Sequence, residues 1–204
     1  MTKNYIFDFG NVLGQFDPEA MTARYISDPQ VATVVCPVAY DRLYWDKLDD
    51  GTITDEEIRQ DIFRRLPPEL AEAAWYAYDN WITAMPPVTG MEALLNDIKA
   101  AGGKLYLLSN ISIGFAENYR RCQWIANLFA LFDGLVFSGS VGLVKPQQEI
   151  FHLLLNQYSL NPADCVFIDD RLENIAAGET VGIKGYLFDG NAETLRQALN
   201  IPHL

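Results

Sequence analysis

An aspartate stands where a buried strand gives way to a tight turn near the start of the chain. Tyr5-Ile6-Phe7 is a short run of aromatic and branched apolar residues, which predicts a buried strand. Asp8 ends the run, and Gly10 and Asn11 follow, the residue types that best tolerate tight or left-handed backbone. Ligands of open α/β sheets bind at the carboxyl ends of strands. A lone aspartate here is more often a turn cap, so its function depends on which residues join it.

Other apolar runs of the chain also end in polar residues. The strand-end groups are Asp8; Ser109-Asn110; Lys145, in the loop after residues 135–138; and Asp169-Asp170. Because parallel strands point the same way, these groups can meet along one edge of a sheet. Each alone has an ordinary explanation as a helix cap, a solvated lysine or a turn. Together, and with glycine-bearing turns between them, they indicate one site.

The chemistry that this set suits is phosphoryl transfer through a covalent aspartyl-phosphate. A carboxylate that attacks a phosphate must overcome repulsion between two anions, and Mg²⁺ can bridge them because it prefers oxygen ligands. Asp8 and one of Asp169-Asp170 would supply carboxylates to the metal. Lys145 would keep these groups ionised and offset charge on the transferring group. The donors available to the phosphoryl oxygens are the Ser109 hydroxyl, the Asn110 side chain or amide, and the Gly10-Asn11 amides.

Short apolar runs alternate with helical patterns, which predicts an α/β fold built on a parallel sheet with helices on both faces. The predicted strands are Tyr5 to Phe7, Lys104 to Leu108, 135–138, Cys165 to Ile168 and 185–188. The predicted helices of this part cover about 89–101, 114–129, 148–158, 173–181 and 192–199, with a glycine-bearing loop at 139–142.

Residues 17–85 interrupt the alternation directly after the first strand, and no strand pattern is found in them. Asp17-Pro18 predicts a helix start, and Thr54-Asp55-Glu56-Glu57 forms a capping box that opens a further helix. We therefore predict a small helical cap domain at 17–85, inserted into a core domain formed by residues 1–16 and 86–204.

The composition limits the partners. With 204 residues, half of them hydrophobic, the chain is long enough to bury a full core. The formal net charge of -12 disfavours nucleic acid and anionic membranes, because both would repel the protein. An acidic chain that nevertheless binds phosphate needs local positive charge from a metal or a placed lysine.

The sequence predicts a cytoplasmic location. Met1 to Asn4 leads straight into the first strand without the regions of a signal peptide, and no apolar stretch approaches the length of a membrane span. The three cysteines are odd in number and widely separated, which fits reduced thiols. His152 and His203 lack zinc-ligand spacing and are predicted to be structural.

These motifs resemble those of the haloacid dehalogenase-like (HAD) hydrolase superfamily, over essentially the whole chain. The matching segments are Asp8-Phe9-Gly10-Asn11-Val12, Leu108-Ser109-Asn110, Gly142-Leu143-Val144-Lys145-Pro146 and Phe167-Ile168-Asp169-Asp170-Arg171-Leu172-Glu173-Asn174. The chain is similar to the C1-capped subgroup that includes α-glucose-1-phosphate phosphatase and the N-terminal phosphatase domain of soluble epoxide hydrolase. The resemblance implies a Rossmann-like sheet and Mg²⁺-dependent hydrolysis of a small phosphomonoester, such as a sugar phosphate.

The resemblance also implies a role for each matching residue. Asp8 would be the nucleophile and a metal ligand, and Gly10 would bind the metal through its carbonyl. Asp170 is expected to be the direct ligand, since Asp170 and Asn174 fit the family's spacing, with Asp169 supporting it or acting through water. The residues expected to bind the substrate are Asn11, Ser109, Asn110 and Lys145, of which Lys145 also stabilises charge.

Gly10 is the main departure from the family pattern. Most phosphatases of the family carry a second aspartate here, which protonates the leaving group and later activates water. Loss of such a group costs about two to four powers of ten in rate. We therefore expect slow turnover, a preference for good leaving groups, or an acid supplied by the cap or the substrate. The polar candidates of the cap are Arg24, Tyr40, Arg42, Tyr44 and Lys47.

Two other functions fit parts of the pattern. Gly10 favours a weakly active or non-enzymatic relative that binds a phosphorylated ligand or a protein partner. A 2-haloacid dehalogenase would share Asp8, the Ser109-Asn110 pair and Lys145. Dehalogenation needs no metal, however, and Asp169-Asp170 suits a metal site, so we rank this function third.

Overall fold

The computed structural model describes residues 4–203 and has a five-stranded parallel sheet at its centre. The strands are β1 (Asn4–Phe7), β2 (Lys104–Ser109), β3 (Gly134–Phe137), β4 (Cys165–Asp169) and β5 (Lys184–Leu187). They lie in the order β3-β2-β1-β4-β5, and every neighbouring pair is parallel. The predicted fold class is confirmed, and β1 occupies the central position.

Helices surround the sheet and fill the long connection after β1. Those before β2 are α1 (Pro18–Ala23), α2 (Pro29–Ala39), α3 (Arg42–Asp49), α4 (Asp55–Arg65), α5 (Pro68–Asp79), α6 (Trp81–Ala84) and α7 (Met91–Ala100). Those after β2 are α8 (Ile113–Asn118), α9 (Gln123–Phe129), α10 (Ser138–Val141), α11 (Gln148–Gln157), α12 (Leu172–Thr180) and α13 (Ala192–Leu199). Within residues 4–203, no helix is long and apolar enough to cross a membrane.

The central strands β1 and β4 are apolar on both faces because helices cover both faces of the sheet. Tyr5 and Phe7 of β1 join one hydrophobic cluster, and Ile6 between them joins the other. The same alternation holds in β4, where Ile168 faces the first cluster and Phe167 the second. Successive side chains of a strand point to opposite faces, so a continuous apolar run predicts burial on both sides.

Helices α1 to α6 occupy the segment 17–85, which we call the helical insertion. Its local signals act as predicted: Asp17 caps α1 ahead of Pro18, and Thr54 and Glu57 form the reciprocal capping box of α4. Apolar residues of the insertion, such as Ile58 and Ile62, continue the cluster that covers one face of the sheet. The boundaries of a separate cap domain remain a prediction.

Two local predictions are wrong. The helix expected at 114–129 is broken into α8, a 3-10 turn (Tyr119–Arg121) and α9, because Cys122 adopts an extended backbone with φ −104° and ψ 109°. The glycine-bearing loop predicted at 139–142 is instead the short helix α10 followed by Gly142 at φ +65°. A Cβ on Gly139 would lie 2.7 Å from the Ile113 nitrogen, so this glycine permits a close backbone approach.

Candidate active site

The strand-end groups surround one cavity of about 420 Å³ at the carboxyl edge of the sheet. The sheet side of its wall includes Asp8, Gly10, Asn11, Ser109, Asn110, Lys145, Asp170, Arg171 and Asn174. The opposite side includes Phe16, Tyr40, Arg42, Trp45, Asp46, Asp49 and Trp81. The convergence expected for a parallel sheet is present, and the insertion closes the cavity from the other side.

Lys145 forms the buried charge centre of the site. Its Nζ lies 2.8 Å from Asp8 Oδ1 and 2.7 Å from Asp169 Oδ2, and all three side chains are buried. Burial alone would lower the pKa of Lys145, but the two carboxylates outweigh it and raise that pKa above its ordinary value. Lys145 therefore stays protonated beside the two buried carboxylates.

The environment of Asp8 disfavours the charged form of its carboxyl group. Its burial raises the pKa of the carboxyl group to about 6, and the neighbouring charge of Asp169 adds to the effect. Lys145 lowers that pKa and so limits the shift. A further cation beside Asp8 would favour its ionised form in the same way.

The two aspartates that follow β4 have different surroundings. Asp169 is fully buried and accepts hydrogen bonds from Lys145 Nζ, from the Arg171 amide at 2.8 Å, and from Asn174 Nδ2 at 3.0 and 3.1 Å. Asp170 borders the cavity and accepts one side-chain hydrogen bond, from Asn11 Nδ2 at 3.2 Å. Both oxygens of Asp169 are thus engaged by the protein, whereas Asp170 is presented to the cavity.

The acidic residues of the site fit a hard divalent cation. Asp8, Asp169 and Asp170 each offer a carboxylate oxygen within 4.8 Å of the others. Oxygen ligands of this kind and number suit Mg²⁺, which keeps several waters and is bound through a few carboxylates. Lys145 compensates only part of the negative charge, so a bound cation would offset the remainder.

Several predicted phosphate donors have partners inside the protein. Asn110 and Lys145 exchange two hydrogen bonds, from Asn110 Nδ2 to the Lys145 carbonyl at 2.8 Å and from the Lys145 amide to Asn110 Oδ1 at 2.7 Å. The Asn11 amide donates to the Gly14 carbonyl at 2.7 Å, in a left-handed turn with Asn11 at φ +55°. Among residues 4–203, the Ser109 hydroxyl makes no such bond and borders the cavity.

One face of α3 forms a large part of the opposite wall. Arg42, Trp45, Asp46 and Asp49 line the cavity at positions i, i+3, i+4 and i+7, which is one face of a helix. Of the polar residues predicted for the cap, Tyr40 and Arg42 reach the cavity. Arg24, Tyr44 and Lys47 lie outside its wall, and the Tyr44 hydroxyl instead contacts Asp61 and Arg65. Sequence reasoning missed Trp45, Asp46 and Asp49, although their helical spacing to Arg42 is a signal that could have found them.

An aromatic group adjoins the α3 face. The Phe16 ring lies 5.0 Å from Trp45 and 6.2 Å from Trp81, and Trp45 lies 5.2 Å from Trp81, all measured between ring centroids. Tyr40 stacks near Trp45 at 6.3 Å. The Trp45 Nε1 atom is buried and has no hydrogen-bond partner among residues 4–203. This wall therefore offers apolar surface to the cavity.

Asp49 ends the α3 face next to the sheet. Its burial raises the pKa of the carboxyl group to about 7, with further increases from the charges of Asp8 and Asp46 and a decrease from Lys145. Its backbone carbonyl accepts a 2.6 Å hydrogen bond from the Ser138 hydroxyl, and that hydroxyl also accepts from the Ile111 amide at 2.8 Å. Ser138 thereby ties the end of α3 to the loop that follows β2.

Gly10 borders the cavity beside Asp8. A Cβ built on it meets no atom within 4 Å, and its φ angle is not positive, so neither space nor backbone requires a glycine here. A β-carbon would fit at this position without strain. The absence of an acid at this position is therefore a property of the sequence and does not follow from the local fold.

Residues 2–182 match the family described as haloacid dehalogenase-like hydrolases, and the chain belongs to this family. It is similar to a sesquiterpene phosphatase of Aspergillus oryzae, with 27% identity over 90% of this chain and 88% of that protein. It is also similar to the D-ribitol-5-phosphate phosphatase of Bacteroides thetaiotaomicron, with 24% identity over 98% of each.

A solved structure shares the whole fold. A HAD family enzyme from Bacteroides thetaiotaomicron, in complex with magnesium and inorganic phosphate, matches with a TM-score of 0.68 and 20% identity. The match covers 96% of this chain and 99% of that chain. The family membership implied by the sequence motifs is confirmed.

Proposed function

We propose that the protein is a Mg²⁺-dependent phosphatase that hydrolyses a small phosphomonoester through an aspartyl-phosphate on Asp8. The observation that carries this proposal is the cluster of Asp8, Asp169 and Asp170 around the buried Lys145, at the floor of a cavity of about 420 Å³. A cluster of three carboxylates with one internal cation is suited to hold a divalent metal, and the metal in turn attracts a phosphate. The phosphatases among the relatives support the same reaction class.

Asp8 and Asp170 would hold the metal together with the Gly10 carbonyl, and Asp169 would support them. This division follows from hydrogen bonding, because the oxygens of Asp169 are already engaged and Asp170 borders the cavity. When bound, Mg²⁺ supplies positive charge that lowers the repulsion between Asp8 and the phosphoryl group. Asp8 then forms the covalent bond to phosphorus as the alcohol departs, and water later releases phosphate.

The remaining residues hold the phosphoryl group or the groups that contact it. Lys145 offsets negative charge beside Asp8, and the Ser109 hydroxyl, which borders the cavity and has no hydrogen-bond partner among residues 4–203, would donate to the phosphoryl group. Asn110 would act mainly by fixing Lys145, and Asn11 by fixing Asp170, since their side chains already bond to those residues. We therefore expect Asn11 and Asn110 to influence substrate binding through the positions of Asp170 and Lys145.

Two leaving groups fit the α3 side of the cavity. A sugar or alditol phosphate would find polar partners in Arg42 and Asp46, and one relative is a D-ribitol-5-phosphate phosphatase. The phosphate of an apolar alcohol would pack on the aromatic wall of Phe16, Trp45 and Trp81, and another relative is a sesquiterpene phosphatase. The aromatic wall is the observation that favours the second candidate.

The proposal is tested by phosphate release from p-nitrophenyl phosphate, D-ribitol 5-phosphate, glucose 1-phosphate and farnesyl phosphate. We expect release in Mg²⁺, none in EDTA, and none in Mg²⁺ with Asp8→Asn. A burst of product near one equivalent, followed by slow turnover, would indicate that breakdown of the phospho-enzyme limits the rate. With a sugar or alditol phosphate, Arg42→Ala should reduce kcat/KM more than Trp45→Ala, and with farnesyl phosphate the order should reverse.

Other results would favour the alternatives. If folded wild-type protein releases no more phosphate than Asp8→Asn, a binding protein that kept the fold without turnover becomes the better description. Chloride release from chloroacetate in EDTA would instead indicate a 2-haloacid dehalogenase.

A further inference from the structure

The proposed phosphatase needs a proton at the oxygen of the departing alcohol. An alkoxide is a poor leaving group, so a positioned acid contributes about two to four powers of ten to the rate. Gly10 cannot supply this proton, although a β-carbon added at that position would meet no atom within 4 Å. If the protein supplies an acid, that acid lies elsewhere on the wall of the cavity.

We propose that Asp49, at the end of α3, is the general acid and base of this site. The inference rests on the proposed function and assigns its proton transfers to the helical insertion. Asp49 lies across the cavity from the sheet and lines the same space as Asp8.

The other titratable groups near the cavity already have partners, point elsewhere or are exposed to solvent. Asp8 and Lys145 form the buried ion pair, and Asp170 is presented to the metal. The Tyr40 hydroxyl donates to the Ala77 carbonyl at 3.0 Å, which directs it into the insertion. Asp46 lines the cavity, but it is exposed. Neither histidine lines the cavity.

Asp49 is held in place by contacts on both sides of the cavity. The Ser138 hydroxyl donates to its carbonyl at 2.6 Å and accepts from the Ile111 amide, so the end of α3 is tied to the backbone that follows Ser109. On the insertion side, Leu48 is buried and fixes the rotation of α3. A proton donor requires such a fixed position relative to the reacting atoms.

The electrostatic surroundings of Asp49 suit both halves of the reaction. Burial, together with the charges of Asp8, Asp46 and Asp50, raises the pKa of its carboxyl group to about 7, and Lys145 opposes the increase. Two further cations, Arg42 and Arg171, line the same cavity. A group with a pKa close to neutral can donate a proton in one step and accept one in the next.

The proton balance closes over one turnover. Asp8 Oδ bonds to phosphorus while the bond from phosphorus to the alcohol oxygen breaks, and the proton of Asp49 moves to that oxygen to give the neutral alcohol. The Asp49 carboxylate then takes a proton from water, whose oxygen attacks the phosphorus of the aspartyl-phosphate. The bond from phosphorus to Asp8 breaks, which releases phosphate and restores Asp8 as a carboxylate and Asp49 as an acid.

The decisive experiment compares phenyl phosphate with p-nitrophenyl phosphate in Mg²⁺, because the two are similar in size and differ in leaving-group acidity. For Asp49→Asn we expect kcat/KM to fall by about 10² to 10³ with phenyl phosphate and by less than about tenfold with p-nitrophenyl phosphate. The matched control is Asp41→Asn, which converts the carboxylate at the other end of α3, outside the cavity wall, to the same amide, and it should change kcat/KM little with either substrate. The decrease of kcat/KM with phenyl phosphate at alkaline pH should also disappear in Asp49→Asn.

The inference and the proposed function fail in different ways. If wild-type protein shows Asp8-dependent release but Asp49→Asn lowers kcat/KM equally for both substrates, or for neither, then Asp49 is not the acid and the phosphatase function stands. If wild-type release is no greater than that of Asp8→Asn, the function itself fails and the inference with it. Thermal unfolding of Asp49→Asn establishes that any loss arises in a folded protein.

Discussion

At the scale of single residues, Lys145 determines the stability of the site as well as its charge. Its ammonium group lies within 2.8 Å of one buried carboxylate and 2.7 Å of another. Removal of one member of a buried ionic group leaves the others uncompensated, which typically costs about 3–5 kcal/mol. We therefore expect Lys145→Met to lower the free energy of unfolding by about that amount at pH 7, measured by urea denaturation.

A surface ion pair provides the control for Lys145. Lys99 Nζ lies 2.8 Å from Asp133 Oδ2, a similar distance, but about a third of each side chain is exposed. Exposed pairs contribute about 0–1 kcal/mol, so Lys99→Met should change stability by no more than that. Equal losses of unfolding free energy in Lys145→Met and Lys99→Met would show that burial does not increase the contribution of an ion pair.

Asp49 should make folding stability depend on pH. Because its pKa rises from 3.8 to about 7 on folding, the folded protein binds this proton more tightly than the unfolded chain. Its contribution is fully present below about pH 4 and is lost as the pH rises through 7. At 1.4 kcal/mol for each pKa unit, the loss is on the order of a few kcal/mol.

The variant Asp49→Asn removes this titration. The Tm of Asp49→Asn relative to that of the wild type should therefore increase between pH 4 and pH 8. A constant difference between Asp49→Asn and wild type across this range would show that Asp49 does not titrate as described. The readout is independent of activity.

At the scale of elements, the short helix α10 joins the insertion to the sheet. Ser138 is fully buried and bridges the Asp49 carbonyl and the Ile111 backbone. Ser138→Ala leaves the Ile111 amide without this acceptor, and an unsatisfied buried group costs about 1–3 kcal/mol. We expect a loss of that size in chemical denaturation. Ser140→Ala, an exposed position of the same helix, should be near neutral, and a comparable loss there would contradict the role of the bridge.

The elements around the sheet were predictable because their signals are local. Residues such as Ile6 and Phe167 sit in short apolar runs, and Asp8 and Asp170 follow such runs directly. The Thr54 and Glu57 capping box is equally local and forms as predicted. The break at Cys122 carries no glycine or proline, so sequence reasoning joined two helices and a turn into one.

The partners of the polar side chains were not predictable. Asn110 bonds to Lys145, 35 positions away, and Asn11 to Asp170, 159 positions away. A sequence shows which donors exist but not which of them the fold has already used. For the same reason, the sequence does not show that Asp49 and Asp8 line one cavity, because this depends on how the insertion packs on the sheet.

At the scale of the whole molecule, the net charge of -12 opposes the binding of phosphate. Inorganic phosphate and Mg²⁺ should therefore bind cooperatively. We expect Mg²⁺ to strengthen phosphate binding at least about tenfold in calorimetry, a coupling of ordinary size for two linked ligands. Asp170→Asn should remove most of this gain, whereas equal phosphate affinity in Mg²⁺ and in EDTA would contradict metal-assisted binding.

The α3 face also has a consequence for how such a protein can diversify. The cavity is lined by four residues that lie on one face of a single helix, namely Arg42, Trp45, Asp46 and Asp49. One residue inserted ahead of Arg42 would rotate this face by about 100° around the helix axis and move all four side chains away from the cavity together. Point substitutions on the same face would instead alter them one at a time, while every strand-end group stays where it is. Under the proposed function, Arg42 and Trp45, which would contact the leaving group, therefore lie in a different stretch of the sequence from the strand-end groups, and they can change without altering those groups.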